Sequence, residues 1–462
     1  MALIKSISGI RGTIGGKTGD NLTPVDVVKF AAAYGTLLKR INPKTKVIIG
    51  RDARMSGEMV SALVCSTLQA LGIDVVDLGL STTPTVEIAV PLEKASGGII
   101  LTASHNPAQW NALKLLNERG EFISGRAGEE VLQIAEREAF DFAPVEKLGK
   151  YSKDDTYIKK HIDLVAKYKF VDVKAIKKAN FKIAVDAVNS TGGIAVPQLL
   201  KALGVKKVVE LYCEPTGKFP HNPEPLPEHL KKISSVVKAQ KCHLGIVVDP
   251  DVDRLALIQE DGKPFGEEYT LVAVADYMLS RKKGNTVSNL SSTRALRDVT
   301  EKVNRTYTAA AVGEVNVVTA MKDTDAVIGG EGNGGIIVPD LHYGRDSLIG
   351  IALFLTHLAK SKMKASALRK TYPAYFISKN KIELTPQINV DKVLEAVKAK
   401  YAHEKINVID GVKIDFEADK EWVHLRKSNT EPIIRIYAES QNEKKADALA
   451  QRIITDIQNI IK

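Results

Sequence analysis

Cysteine is scarce in this chain: three in 462 residues, Cys65, Cys213 and Cys242, scattered and without CxxC spacing. That pattern excludes a disulfide framework, argues against a cysteine-built zinc site, and points to a reducing cytoplasm. Aromatic residues make up only 6%. The net charge is +10, yet no basic run is interleaved with aromatics, and lysines fall in alternating-sign stretches such as LRKTY and EKKADALAQR. The electrostatic footprint of a nucleic-acid binder is therefore missing, and small anionic molecules are the expected partners. No apolar run approaches the ~18 residues of a membrane helix. The segment MALIKSISGIRG lacks the apolar core and cleavage site of a signal peptide. No GxSxG nucleophile elbow is present. GTIGGKT misses the phosphate-binding P-loop, since Gly12 stands one residue too close to Gly16-Lys17 and GDNLTP does not continue a helix. Monomer and homodimer both stay open.

What is present is ordinary globular composition, 44% hydrophobic and 26% charged, at a length suited to three or four domains. Three segments, starting at Lys46, Lys182 and Asn285, share one design: a short β-branched strand, a small polar turn, a helix with 3.6-residue apolar spacing, and a second strand. This predicts three α/β domains with mixed or parallel sheets and ligand groups in loops at strand carboxyl ends. The polar run Glu146–Thr156 reads as a linker, Glu260–Glu268 as a turn or boundary, and Lys364–Pro373 as the passage into alternating strands closed by a helix. The expected domains are 1–150, 151–260, 261–368 and 369–462, the last a smaller α+β domain.

Four stretches carry chemistry. In ILTASHNPAQWNALK, an apolar strand runs into a turn at Asn106-Pro107; proline disfavours helix before it, so Ser104 and His105 are expected on an extended loop. Adjacent residues in simple strand or helix geometry do not make a Ser–His hydrolase pair. In LGIVVDPDVDRLALI, Asp249, Asp251 and Asp253 follow a buried strand, and three such close carboxylates repel one another unless a cation joins them. An all-oxygen set suits Mg²⁺ or Ca²⁺. An EF-hand is excluded by Pro250 at loop position two, Arg254 at six, and the preceding strand. In IGGEGNGGIIVPD, glycines leave Glu331 and Asn333 projecting, a carboxylate and an amide able to grip vicinal sugar hydroxyls. In LRKSNTEPIIRIY, Arg426, Ser428, Asn429, Thr430 and Arg435 form a phosphate cradle in composition. Arg11, Arg51 and Arg54 add further cations.

With these residues assembled, nearly the whole chain resembles the α-D-phosphohexomutase family, which includes phosphoglucosamine mutases and phosphomannomutase/phosphoglucomutases. TASHNP (102–107) resembles the family's phosphoserine loop, DPDVDR (249–254) its metal loop, GEGNGG (330–335) its sugar loop and RKSNTEP (426–432) its phosphate loop, all in the family's order. The resemblance implies three α/β domains with mixed sheets plus a smaller C-terminal α+β domain, arranged around a central cleft. It implies that Ser104 carries the phosphoryl group and that Asp249, Asp251 and Asp253, with a phosphoserine oxygen of Ser104, bind one Mg²⁺. It further implies that Arg11, His105 and Lys114 assist proton transfer or balance charge, and that Arg254 lies beside the phosphoserine. Hexose 1,6-bisphosphate would be intermediate and activator, in the interconversion of hexose 6-phosphate and hexose 1-phosphate. Glucosamine phosphate is the expected sugar, with glucose or mannose phosphate as the alternative and a non-catalytic sugar-phosphate sensor as a distant one.

Two positions depart from the family pattern. Ala112 stands where glycine is usual, and a turn needing positive φ there would misplace Lys114. Gly335 stands where histidine is common, removing a bulky and possible cationic neighbour of the sugar loop.

Overall fold

The structure is a computed structural model and describes residues 3–6, 9–383, 388–427 and 433–461. The chain divides into two compact units, Met1–Tyr277 with Asn333–Leu368, and Met278–Gly332 with Arg369–Lys462.

The first unit holds two sheets. Strands β1 (Leu3–Ser6), β2 (Gly9–Thr13), β3 (Lys46–Arg51), β4 (Asp74–Leu80), β5 (Gly97–Leu101), β6 (Trp110–Leu116) and β7 (Tyr151–Lys153) form a seven-stranded sheet in the order β1-β2-β6-β5-β3-β4-β7. β3, β4, β5 and β7 run parallel, while β6 is antiparallel to both β5 and β2. The segment expected to be a linker over 146–156 thus contains β7, an edge strand: Lys153 pairs in register with Asp77, and its exposed face explains its polar composition.

The central strands read as continuous apolar runs because both sheet faces are covered. Ile49, Ile99 and Leu101 pack with Val60, Val64 and Leu68 on one side, and Ile48 and Ile100 with Val86, Ala89 and Val90 on the other. Helix Pro24–Ile41 starts at a capping box in which Thr23 and Asp26 satisfy each other's backbone N–H, with Pro24 in the first turn.

The second sheet orders β8 (Lys182–Asp186), β9 (Lys207–Leu211), β10 (Leu244–Val248) and β11 (Leu255–Gln259) as β11-β10-β8-β9. β8, β9 and β10 are parallel, and β11 returns antiparallel beside β10. All five residues of β10 are buried, and the tight β10–β11 connection is the DPDVDR stretch.

In the second unit, β12 (Asn285–Asn289) lies between parallel neighbours β13 (Tyr307–Ala310) and β14 (Ala326–Glu331). After the short strand β15 (Gly335–Ile337) and the buried helix Ser347–Ser361, both in the first unit, the chain enters a five-stranded antiparallel sheet. Its strands are β16 (Phe376–Glu383), β17 (Lys405–Asn407), β18 (Val412–Phe416), β19 (Glu421–Lys427) and β20 (Ile433–Ser440), in the order β16-β20-β19-β18-β17. Helix Glu443–Ile461 buries Leu449, Ile453 and Ile457 against Val423, Leu425, Ile434 and Ile436. Among the described residues no helix is long and apolar enough to cross a membrane.

Candidate active site

β5 delivers its chain end to the serine loop. Thr102 Oγ1 donates to Asp52 Oδ2 (2.6 Å) and accepts from the Ser104 N–H (2.9 Å), and Asn106 N–H closes a turn on Ala103 O (3.0 Å). Ser104 is buried and left-handed at φ +49°, not extended as expected; Pro107 restrains only the residue before it. The left-handed turn folds His105 back, so that its Nδ1 lies 3.4 Å from Ser104 Oγ, a proximity that regular strand or helix geometry does not provide.

Arg54, expected only as a further cation, is a buried staple for this loop. Its Nη1 donates to Pro107 O (2.6 Å) and Trp110 O (3.0 Å), and its Nη2 to Ser104 O (2.5 Å) and Asn106 O (2.7 Å). Its Nε bonds Asp52 Oδ2 at 2.9 Å. One guanidinium thereby binds three carbonyls of the loop and that of Trp110 at the start of β6. Arg51 turns to Asp52 O and Glu58 instead.

β10 delivers the three aspartates, all fully buried. Ser104 Oγ donates to Asp249 Oδ2 at 2.9 Å, and Asp249 Oδ1 accepts from the N–H groups of Asp253 and Arg254. Asp251 Oδ2 accepts from Thr83 Oγ1 (2.6 Å) and Lys114 Nζ (2.7 Å). Asp253 Oδ2 accepts from Arg345 Nη2 (2.7 Å), with Lys114 Nζ 3.6 Å away. Val252 sits between them at φ +64°; a β-branched residue held left-handed marks a loop that its surroundings over-determine. The other oxygens, Asp251 Oδ1 and Asp253 Oδ1, are buried without a hydrogen-bond donor, and each of the three carboxylates offers an oxygen within 4.8 Å of the others. Burial and the charges of Asp253 and Asp251 hold the Asp249 pKa well above the usual carboxylate range. Orphaned oxygens, an all-carboxylate donor set and a strained loop fit a hard divalent cation.

Lys114 lies on β6, and Ala112 is a strand residue in register with Arg11 on β2. No positive φ is needed at Ala112, so the alanine does not displace Lys114, whose ammonium meets Asp251 directly. Burial disfavours the Lys114 charge, but Asp251 and Asp253 outweigh it and raise its pKa. Arg11 reaches Asn106 Oδ1 at 3.1 Å; burial and Arg254 lower its pKa. Arg254 pairs with Glu224 at 3.2 Å and keeps its Nε buried without an acceptor. Burial, then Arg254, Arg11 and Arg345, push the His105 pKa down to about 2. His105 is therefore neutral, able to accept a proton but not to store one, in surroundings crowded with cations that an anion would relieve.

Gly335 does not leave a gap where histidine is common. A Cβ there would fall 2.3 Å from Arg345 Cδ, so the arginine stem fills the space and brings its own charge, paired with Asp253. Asn333 is partly exposed, and its Oδ1 accepts from the Gly335 N–H at 3.2 Å.

In the second unit, Glu331 ends β14 and is buried. Its Oε1 accepts from Asn289 Nδ2 (2.9 Å) and the Gly313 N–H (3.3 Å), while Ser292 Oγ bonds both Asn289 Oδ1 and the Gly332 N–H. Arg426 on β19 pairs with Asp410 at 2.9 Å and faces Arg435 on β20 in register. Directly opposed residues project to one face, and two like charges there repel, which favours an anionic ligand. Ser428, Asn429 and Thr430 lie outside the described residues. The sequence reading missed Thr83, Arg345, Glu224 and Asn289; none carries a local signal, since each acts on a loop distant in the chain.

Four domain families match along the chain, described as phosphoglucomutase/phosphomannomutase α/β/α domains I, II and III and the C-terminal domain, over residues 3–142, 159–262, 266–375 and 381–455. A phosphoglucomutase/phosphomannomutase of Thermococcus kodakarensis is 37% identical over 442 residues, 94% of this chain and 95% of that one. A phosphoglucosamine/phosphogalactosamine mutase of Sulfurisphaera tokodaii is 31% identical over 466 residues, 98% of each chain. A solved phosphoglucomutase/phosphomannomutase family protein of Burkholderia thailandensis superposes with a TM-score of 0.83 at 25% identity, over 99% of this chain and 98% of the other. The chain is a four-domain phosphohexomutase, an isomerase of the α-D-phosphohexomutase family.

Proposed function

We propose that Ser104 carries the phosphoryl group that this mutase moves, and that Asp249, Asp251 and Asp253 hold one Mg²⁺ beside it. The observation that carries this reading is the 2.9 Å contact of Ser104 Oγ with Asp249, next to two buried carboxylate oxygens that have no donor. Mg²⁺, when bound, would offset the charge of the migrating phosphoryl group. Phosphate monoesters break extremely slowly unaided, so the protein's task is positioning and charge balance.

In this reading phosphoserine 104 gives its phosphoryl group to the free hydroxyl of a hexose phosphate, producing a hexose 1,6-bisphosphate, while the hydroxyl's proton passes to the serine oxygen that leaves. The bisphosphate reorients, and its other phosphoryl group returns to Ser104. Lys114 balances Asp251 and Asp253. His105, 3.4 Å from Ser104 Oγ, lies beside the path of that proton, and Arg11 and Arg254 supply positive charge for the phosphoryl oxygens. Arg426 and Arg435, with Ser428, Asn429 and Thr430, hold the phosphate that stays. Guanidiniums suit this, because the same loop must accept the 1- and the 6-phosphate.

The sugar is glucosamine phosphate in this proposal. Glu331 offers a buried, immobilised carboxylate that pairs with hydroxyls and with a protonated 2-amino group, a charge-assisted hydrogen bond worth about 1.5–3 kcal/mol. The glycine at position 335 adds no support, since Arg345 occupies that space. Glucose or mannose phosphate is the second reading, supported by the name of the 37% identical relative. Comparing kcat/KM for glucosamine, glucose and mannose phosphates decides: the proposal expects glucosamine phosphate to lead by roughly tenfold or more, and parity or reversal replaces it with the second reading. Release of stoichiometric inorganic phosphate would instead mark a phosphatase.

A further inference from the structure

Behind the aspartates lies a second buried polar cluster that the reaction does not use. His161, on helix Tyr157–Lys167, has Nδ1 2.9 Å from Thr85 Oγ1 and Nε2 2.9 Å from Asp346 Oδ2. His342 has Nε2 3.3 Å from the same Asp346 oxygen and Nδ1 3.4 Å from Glu87 Oε2. The other Asp346 oxygen caps helix Ser347–Ser361 through the N–H groups of Leu348 and Ile349. The segment carrying His342 passes so close over Glu87 that a Cβ at Gly344 would fall 1.9 Å from its carboxylate.

Polar groups buried this deeply destabilise a fold unless they are paired; here both histidines meet Asp346 by hydrogen bonds and His342 meets Glu87 as an ion pair. Burial opposes the His342 charge, but Asp346 and Glu87 outweigh it and push its pKa up to about 10. A His342 cation thus lies between two carboxylates, hydrogen-bonded to Asp346 and in ion-pair contact with Glu87, and His161 Nε2 meets the same Asp346 oxygen.

The cluster joins the two segments that grip the metal loop. Thr85 and Glu87 stand on helix Thr83–Leu92, whose Thr83 holds Asp251 twice, by its hydroxyl (2.6 Å) and by its N–H on Asp251 O (2.9 Å). His342 and Asp346 flank Arg345, which holds Asp253 at 2.7 Å, and the Ser347 N–H donates to Val252 O at 3.2 Å. We propose that Glu87, His342, Asp346 and His161 are positioning residues: they lock helix Thr83–Leu92 to the Arg345 segment, and through Thr83 and Arg345 they set the spacing of Asp251 and Asp253 for the metal ion. The inference rests on the assignment of those aspartates as metal ligands. Such outer supports typically change metal affinity by about 10–100-fold when removed.

The test is Mn²⁺ binding, followed by electron paramagnetic resonance on the purified full chain, in wild type, Glu87→Gln, His342→Leu, His342→Gln, Thr85→Val and Asp251→Asn. The expected result is a Kd for Mn²⁺ raised about tenfold in Glu87→Gln and His342→Leu. His342→Gln, which keeps one donor, should be partly rescued, and Thr85→Val the least affected. Half-saturating Mg²⁺ in turnover should rise in step while KM for the sugar phosphate holds. Wild-type Mn²⁺ affinity in folded Glu87→Gln and His342→Leu, alongside weakened binding in Asp251→Asn, overturns the clamp. Unchanged binding in Asp251→Asn overturns the ligand assignment and the clamp with it. A stoichiometric transition metal in the wild-type protein, lost in His342→Leu, also overturns the proposal by making the histidines ligands. If His342→Leu does not fold, Glu87→Gln and His342→Gln carry the same decision.

Discussion

The Ser104 hydroxyl donates to Asp249 across 2.9 Å, although 145 residues separate them in the chain. β5 and β10 belong to different sheets of the same unit, and each ends in a short loop at its carboxyl edge, so Ser104 and the carboxylates meet where two strand ends meet. Ser104→Ala deletes one buried oxygen and leaves the staple from Arg54 intact. Turnover should fall below about a hundredth of wild type with bisphosphate supplied, an estimate set by the loss of the covalent step. Intact mass should also lose any phosphate adduct. Activity above that level sinks the phosphoserine assignment.

Asp251→Asn should raise half-saturating Mg²⁺ by about tenfold or more, because one of three ligand charges is lost. The change also removes the partner of Lys114, which lies 2.7 Å away, so kcat should fall even at saturating metal. A metal dependence like that of wild type would show that the ligand set is wrong.

Arg54→Lys tests the serine loop's staple. Lysine brings three donors on a point charge, whereas the arginine fork serves Asp52 and four carbonyls together. The unpaired carbonyls should cost on the order of 2–4 kcal/mol. Thermal unfolding and kcat should both report it, with KM for the sugar phosphate little changed. Equal stability would mean that the loop holds its left-handed Ser104 without the staple.

The aspartate loop was legible as a strand end because its parts are contiguous: an apolar strand, then alternating aspartates, is a local statement. So was the α/β architecture, since helical and strand periodicities survive in Lys46–Leu80 and Lys182–Leu211. The grip on that loop was not legible. Thr83 and Arg345 lie 168 and 92 residues from their aspartates, and a threonine or arginine carries no mark of what it will touch. One local expectation failed because strand pairing overrides composition: Ala112 looks misplaced in a turn and is a strand residue. The polar run over 146–156 does fall between the first two matched domains and also carries the edge strand Tyr151–Lys153. The expected gap at Gly335 failed because Arg345 fills it from ten residues further on.

In the second unit, burial pushes the Glu439 carboxyl up to about 7, although the Arg294 N–H (2.9 Å) and Trp422 Nε1 (2.7 Å) both donate to its Oε1. The native state then holds the proton more tightly than the unfolded chain, whose carboxyl titrates near 4.5. Its favourable contribution is complete below that value and is lost as pH rises through about 7, a change on the order of 3 kcal/mol. Glu439→Gln keeps the acceptor oxygen and removes the charge. Native-state hydrogen exchange of β19 and β20 should show protection falling between pH 5 and 8 in wild type and staying level in the variant. A level profile in both would place the Glu439 pKa near its ordinary value.

Arg426→Lys tests whether the phosphate loop reads phosphate or position. Arg426 is anchored by Asp410 at 2.9 Å, and Asp410 is itself held by the Val312 N–H at 2.9 Å, so the guanidinium is aimed before any ligand arrives. Arg435 stands directly across the strand pair. Two guanidiniums on one face can take a phosphate through several parallel N–H donors, and lysine keeps the charge while losing that fork. Since one loop must hold the 6-phosphate in one half of the cycle and the 1-phosphate in the other, kcat/KM should fall for both isomers by a similar factor, about tenfold or more for one charge-assisted bond. Mg²⁺ dependence should stay as in wild type, because the metal loop is untouched. A loss confined to one isomer would mean that Arg426 senses where the phosphate is attached, and the turning bisphosphate would then need a second anion grip elsewhere in the chain.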